Sequence, residues 1–241
     1  ETIGDRSTAL GDGALHNQVS DSSNEDTGNV GVGQEAGYSN VTGTNNTYVG
    51  RAAGKGGSGN NSNNTAIGSN ALLSITTGGN NVAMGFSAGD SITDGHQNVI
   101  IGEGAGRTTT SVGYCVIIGT DACENGNMPA ALDGTVAIGY AALQNLENSS
   151  GARNMAIGHQ SMQDNNTGAD NIMIGYNAAL DANDAGFDYN VGIGNYVFDG
   201  VASGIDAEKN VAVGHNSMSG VLTDTAHDNT AVGTNSLLTL T

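Results

Sequence analysis

Tryptophan is absent from this 241-residue chain, proline occurs once, and aromatic residues make up only 4%. A conventional globular core leans on large side chains, so their scarcity argues for a thin core assembled some other way. Basic residues are equally scarce, with 6 Lys and Arg against 24 Asp and Glu and a formal net charge of −18. That balance excludes nucleic acid as a partner, because binding it rests on Lys and Arg neutralising phosphates. It disfavours an anionic membrane surface for the same reason. No apolar run approaches the ~20 residues that carry a helix across a bilayer. There is no signal-peptide pattern and the chain opens at Glu1, which fits a processed product or a segment of a longer protein. Its two cysteines form no Cys-x-x-Cys pair, and His16, His96 and His227 lack metal-ligand spacing, so a zinc site is not expected.

What is present is glycine, 39 residues of it, placed with a period. Asn64-Thr65-Ala66-Ile67-Gly68-Ser69-Asn70-Ala71-Leu72 returns as Asn81-Val82-Ala83-Met84-Gly85-Phe86-Ser87-Ala88-Gly89, and again as Asn98-Val99-Ile100-Ile101-Gly102-Glu103-Gly104-Ala105-Gly106. Counted from the anchor glycine, the copies run from Gly11 to Gly233, with most intervals 17–20 residues long. Self-similarity at such a period marks a solenoid. The array fills residues 1–241 as one domain of about 13 coils, with no room for a second. The string Gly102-Glu103-Gly104-Ala105-Gly106 therefore belongs to the repeat and is no phosphate loop. Neither end carries a recognisable cap, so further protein is expected to continue the stack.

Position by position, the copy reads as a short strand and a turn. Position −4 is Asn in ten of thirteen copies. Asn suits a left-handed turn entering a strand, and stacked coils would set these amides in a ladder. Positions −3 and −1 are larger and often β-branched, as in Val99 and Ile101, whereas −2 is mostly alanine: Ala66, Ala83, Ala137, Ala156, Ala212 and Ala231. Alternation puts −3 and −1 on one face and −2 on the other. The expectation is that the larger residues fill the coil and that the alanine face packs against another copy, most economically in a trimer about a common axis. Positions +3 and +4 (Ala71-Leu72, Ser161-Met162) read as a second short strand or half-turn. One coil per strand spacing gives a rod ~58 Å long.

The repeat Asn-Thr-Ala-Ile-Gly-x-x-Ala-Leu, followed by Thr-Thr-Gly, resembles the repeats of bacteriophage tail-fibre and adhesin-like proteins. Its Val-Ala-Ile-Gly core also resembles the heads of trimeric autotransporter adhesins, where three chains build parallel β-rolls. The resemblance implies a scaffold and, through it, a trimeric fibre. The six residues Ile67 to Leu72 also fit a β-helix hexapeptide, but that fold needs three per coil and only one is present.

Three features suggest chemistry. The +1 column reads Tyr140, His159, Tyr176, Asn195 and His215 in the later copies, a row that could stack against sugar faces or simply tie neighbouring coils together. Acidic residues gather in the later loops (Asp181, Asp184, Asp188, Asp199, Asp206, Glu208), where carboxylates with backbone carbonyls suit Ca²⁺. No EF-hand or nonapeptide spacing accompanies them, so a solvated surface is the plainer reading. Cys115 and Cys123 flank Gly119 at −4 and +4, so a chain reversal there would allow a disulfide, while two buried thiols fit equally well.

The fold expected is all-β, a parallel β-solenoid or β-roll forming a trimeric fibre. The function expected is structural and adhesive: an extracellular or virion fibre segment, of the phage tail-fibre kind, contacting a host glycan or receptor. A self-assembling extracellular filament or bacterial surface adhesin is the alternative. A polysaccharide depolymerase ranks below both, since it needs a cleft with paired carboxylates and the longest interval is 22 residues. The chain is therefore not expected to be an enzyme, and no cofactor beyond the Ca²⁺ considered above is expected.

Overall fold

A computed structural model describes the chain except for residues 1–5, 20–25, 57–58, 126–132, 147–152, 183–185, 202–205, 221–225 and 239–241. Asp184 and most of the Asn125–Pro129 turn fall outside the described residues. Among the described residues, thirteen three-residue strands make up the regular structure: β1 (Thr8–Leu10), β2 (Val30–Val32), β3 (Thr47–Val49), β4 (Thr65–Ile67), β5 (Val82–Met84), β6 (Val99–Ile101), β7 (Val116–Ile118), β8 (Val136–Ile138), β9 (Met155–Ile157), β10 (Ile172–Ile174), β11 (Val191–Ile193), β12 (Val211–Val213) and β13 (Thr230–Val232). They form one parallel sheet in sequence order, with equivalent repeat positions paired, as Ala66 with Ala83 and Ile67 with Met84. The protein is an all-β parallel solenoid.

The hydrogen-bond ladder continues past the strand. Thr65 N–H donates to Asn81 O on the next coil at 2.8 Å, and Gly68 N–H donates back to Val49 O on the previous one at 2.8 Å. Asn70 N–H donates to Arg51 O and Leu72 N–H to Ala88 O, so the turn is bonded to both neighbours as the strand is. Positions +3 and +4 thus lie in a turn rather than a second strand. The turn demands left-handed backbone at +2 and +4, where Asn70 (φ 61°) and Leu72 (φ 49°) adopt it. Gly68, at φ 135°, has a second constraint: a Cβ there would collide with the carbonyl of Gly85 above it. Glycine is stacked on glycine at this corner through most of the array.

The interior reverses the expected orientation of the strand. Ala66, Ala83, Ala137, Ala156, Ala212 and Ala231 are buried inside their own chain, so they are not an oligomer-packing face. The chain's own turn covers them. Ala71, Leu72 and Ile75 from +3, +4 and +7 close over Ala66, and all are fully buried. The larger residues at −3 and −1 point outward and stay partly or well exposed, with Met84 42% and Ile193 42% exposed. A coil this short encloses too little space for a strand residue and a turn residue that are both large.

The coil keeps its volume by exchange between −2 and +4. Six of the thirteen coils carry Ala inside the strand and Leu or Met on the turn, as Ala66 with Leu72 and Ala156 with Met162. Where −2 grows, +4 shrinks: Ile100 is matched by Gly106, and Tyr48 by Gly54, where a Cβ would collide with the tyrosine ring. Where −2 is Gly192, the turn supplies Phe198, whose ring packs edge-on to Phe187 at 5.7 Å. Where both are small, as Gly31 with Gly37 and Ala83 with Gly89, neighbouring coils fill the space: a Cβ on Gly37 would meet Leu15 and Tyr48, and one on Gly89 would meet Leu72 and Ile100.

The buried asparagines form the second component of the interior. Asn81 Nδ2 donates to Asn64 Oδ1 at 3.0 Å and to Gly95 O at 2.8 Å, which closes its own coil. Its Oδ1 accepts the backbone N–H and the Nδ2–H of Asn98. Each central amide is therefore satisfied at both ends by the coil below, its own loop and the coil above. The left-handed residue expected at −4 stands one place earlier, at Asn63, Asn80 and Gln97. The ladder breaks at Cys115 and Thr135, where the side chains offer no amide. Cys115 and Cys123 are buried thiols and not a disulfide. Burial pushes the Cys115 thiol up to about 11 and raises Cys123 as well.

Candidate functional site

A backbone that repeats at the strand spacing repeats its exposed side chains at the same spacing, which is near the contact distance of stacked rings. Tyr140 and His159 lie with ring centroids 5.1 Å apart and 27° between planes, and His159 and Tyr176 at 5.0 Å and 14°. The row then continues edge-on. Tyr176 meets Tyr196 at 5.4 Å and 65°, and Tyr196 meets His215 at 5.6 Å and 70°. Tyr140 and Tyr176 are nearly half exposed, so each ring offers a rim to solvent while its face is shared with a neighbour.

Four of the five residues in the expected row, Tyr140, His159, Tyr176 and His215, are brought together. Asn195 takes a different part: its Oδ1 accepts the backbone N–H of Tyr176 at 3.0 Å and fixes that corner. The missing ring comes from Tyr196, one position on, whose left-handed backbone (φ 57°) accompanies its place between Tyr176 and His215. Reading only the +1 column hides Tyr196. The clue available in the sequence is the Asn195-Tyr196 pair itself, which moves the aromatic to +2 in the one copy from Gly139 to Gly214 where +1 lacks a ring. Two smaller ring pairs stand elsewhere: His16 stacks on Tyr38 at 4.9 Å, and His96 meets Tyr114 edge-on at 5.3 Å.

The acidic loops gather beside the later coils without building a cage. Burial raises the carboxyl of Asp188 above its ordinary value, and repulsion from Glu208, Asp170 and Asp206 adds to it. Burial raises Asp199 too, reinforced by Asp181. Some of this charge is answered by cations: Arg153 holds Asp170 through two nitrogens at 2.7 and 2.8 Å, and Lys209 holds Glu208 at 2.7 Å. Among the described residues no group of three or more His, Cys, Asp or Glu side chains could hold a metal ion.

The row can present a flat, weakly polar rim of phenol and imidazole groups over about five coils, ~19 Å at the strand spacing. Chemically it suits contact with the apolar face of a sugar ring, with Tyr hydroxyls and imidazole nitrogens available to hydroxyl groups. No protein-family model, curated protein or solved structure matches this chain.

Proposed function

We propose that this chain is a structural and adhesive segment of an extracellular or virion fibre, of the phage tail-fibre kind, that contacts glycan on a host surface through its aromatic row. The observation that supports it is the unbroken run from Tyr140 to His215, five rings carried on consecutive coils of a regular rod. A rod holds such a row at fixed spacing without spending ordering entropy on binding, which is the condition for repeated weak contacts to add. The net charge of −18 is compatible with a neutral glycan and unfavourable for nucleic acid.

The test is a combined Tyr140→Ala, Tyr176→Ala and Tyr196→Ala variant, assayed on a glycan array and on host cells. Binding should fall at least tenfold while circular dichroism stays unchanged; retained binding by a folded variant rejects the reading. The second reading is a self-assembling extracellular filament or bacterial surface adhesin, favoured by the apolar outward strand face. Imaging the native particle separates the two, since one places the chain on a virion and the other in a free fibre.

A further inference from the structure

We infer that the glycan this chain holds is a neutral chain of N-acetylated sugars, lying along the rod in a groove beside the aromatic row. This rests on the glycan reading above and names the class of sugar. In the coils anchored at Gly139, Gly158 and Gly175, the anchor alone separates a partly exposed isoleucine from an exposed ring: Ile138 from Tyr140, Ile157 from His159 and Ile174 from Tyr176. Ile193 with Tyr196, then Val213 with His215, carry the two columns over the next two coils. The anchors have no side chain and stack directly on one another. The two columns are therefore the walls of a groove floored by glycine backbone. One wall is apolar, and the other is aromatic with polar tips.

The floor of this groove selects the ligand. The backbone N–H of position +1 sits at its corner. Those of Tyr140, His159 and His215 donate to no group among the described residues. At Tyr176 the same N–H is taken, and an amide oxygen takes it: Asn195 Oδ1, at 3.0 Å. The chain thus carries its own example of the group that fits this donor. The acetamido substituent of a sugar supplies the same oxygen. It also ends in a methyl group, which the isoleucine column can cover. A sugar bearing only hydroxyls would leave those isoleucines facing water.

Charge and spacing agree with this class. Neither wall carries a carboxylate, and a chain of net charge −18 repels uronic and sialic acids. Successive coils rise ~4.8 Å, close to one residue of an extended β-1,4 glycan, so each coil can meet one sugar. The contacts are weak singly and add along a groove that is already formed.

The experiment is titration calorimetry of the full chain with chitotetraose and with cellotetraose, the same β-1,4 chain bearing a hydroxyl in place of each acetamido group. Covering a methyl group and making an amide hydrogen bond should favour chitotetraose by about tenfold or more. A variant carrying Ile157→Thr and Ile174→Thr keeps the β-branched shape of the strand residues and removes part of the apolar wall. With unchanged circular dichroism, it should lose most of the preference while binding cellotetraose as the wild type does. Equal affinity of the wild type for the two sugars overturns the inference and leaves the glycan reading standing. A folded variant that keeps the full preference does the same. Binding of neither sugar also overturns the inference, and the glycan reading falls with it only where the glycan array is blank as well. Should the variant not fold, the wild-type ratio decides alone.

Discussion

At the residue scale the asparagine ladder and the −2/+4 exchange carry most of the specificity. Asn81→Ala removes the donor to Gly95 O and Asn64 Oδ1 and the acceptor of two Asn98 protons, all in the buried interior. Leaving buried groups unsatisfied costs about 1–3 kcal/mol each, so the variant should lose ~3 kcal/mol or more in urea unfolding. Asn81→Asp should fare no better, since it sets a carboxylate against two buried oxygens. Tyr48→Ala empties a full coil and should cost ~3–5 kcal/mol. Adding Gly54→Leu to it restores the Ala–Leu arrangement of the next coil, and Leu72 shows that leucine accepts this backbone. The double variant should therefore be more stable than Tyr48→Ala alone; a further loss in thermal melting would refute the exchange. Cys115 and Cys123 should resist thiol reagents in the native protein at neutral pH and react fully in denaturant, because burial raises both thiols.

At the element scale, the strand and the period were legible in the sequence, and the direction of the strand's side chains was not. Asn-x-Ala-x-Gly places a strand between a buried amide and a corner, and all thirteen strands lie where the repeat sets them. The rule that larger apolar residues face the core fails here because coil length limits the interior before hydrophobicity is consulted. The information was nevertheless in the sequence as a size relation. Ile100 occurs with Gly106, Tyr48 with Gly54 and Gly192 with Phe198, and only residues sharing one small space need to compensate. Position +7 was harder to see, since Gln18, Asn40, Thr109 and Asn165 interrupt Ile75, Ile92, Leu146 and Val201 there. The polar ones are buried by local bonds: Asn40 and Asn165 each close a turn on the residue three places on. Four members of the aromatic row were legible from their column; Tyr196 depended on a turn geometry that spacing does not convey. The orientation also yields a prediction. Ala156→Leu and Ala212→Leu should each overpack a coil whose turn already carries a buried methionine, Met162 or Met218, and cost ~1–3 kcal/mol of folding stability. Normal stability with weakened self-association would restore the opposite orientation.

At the scale of the whole molecule, acidity sets the response to pH. Asp90, Asp121, Asp188 and Asp199 are all raised above the ordinary 3.8, chiefly by burial. A raised carboxyl binds its proton more tightly when folded, so these groups add stability as pH falls through their folded values and give no more below 3.8. Asp94, lowered by the Ser111 hydroxyl, works in the opposite direction, and its contribution is lost only as pH falls below 3.8. Relief of the net −18 adds to the first group. The thermal midpoint should accordingly be higher at about pH 5 than at about pH 8. A lower midpoint at the acid value would show that these partly buried carboxyls do not govern stability.

The ladder bonds of Thr65, Gly68, Asn70 and Leu72 all run from coil to coil, along the rod and across the direction of the chain. Tension applied along the rod therefore loads one coil's bonds at a time, and peels them in succession instead of shearing them together. Each coil of 17 residues that lets go would release ~60 Å of extended chain in place of a single strand spacing. In an optical trap the chain should lengthen more than tenfold through a train of small, evenly spaced rips. The same geometry that makes a stiff spacer would make it a shock absorber under pull.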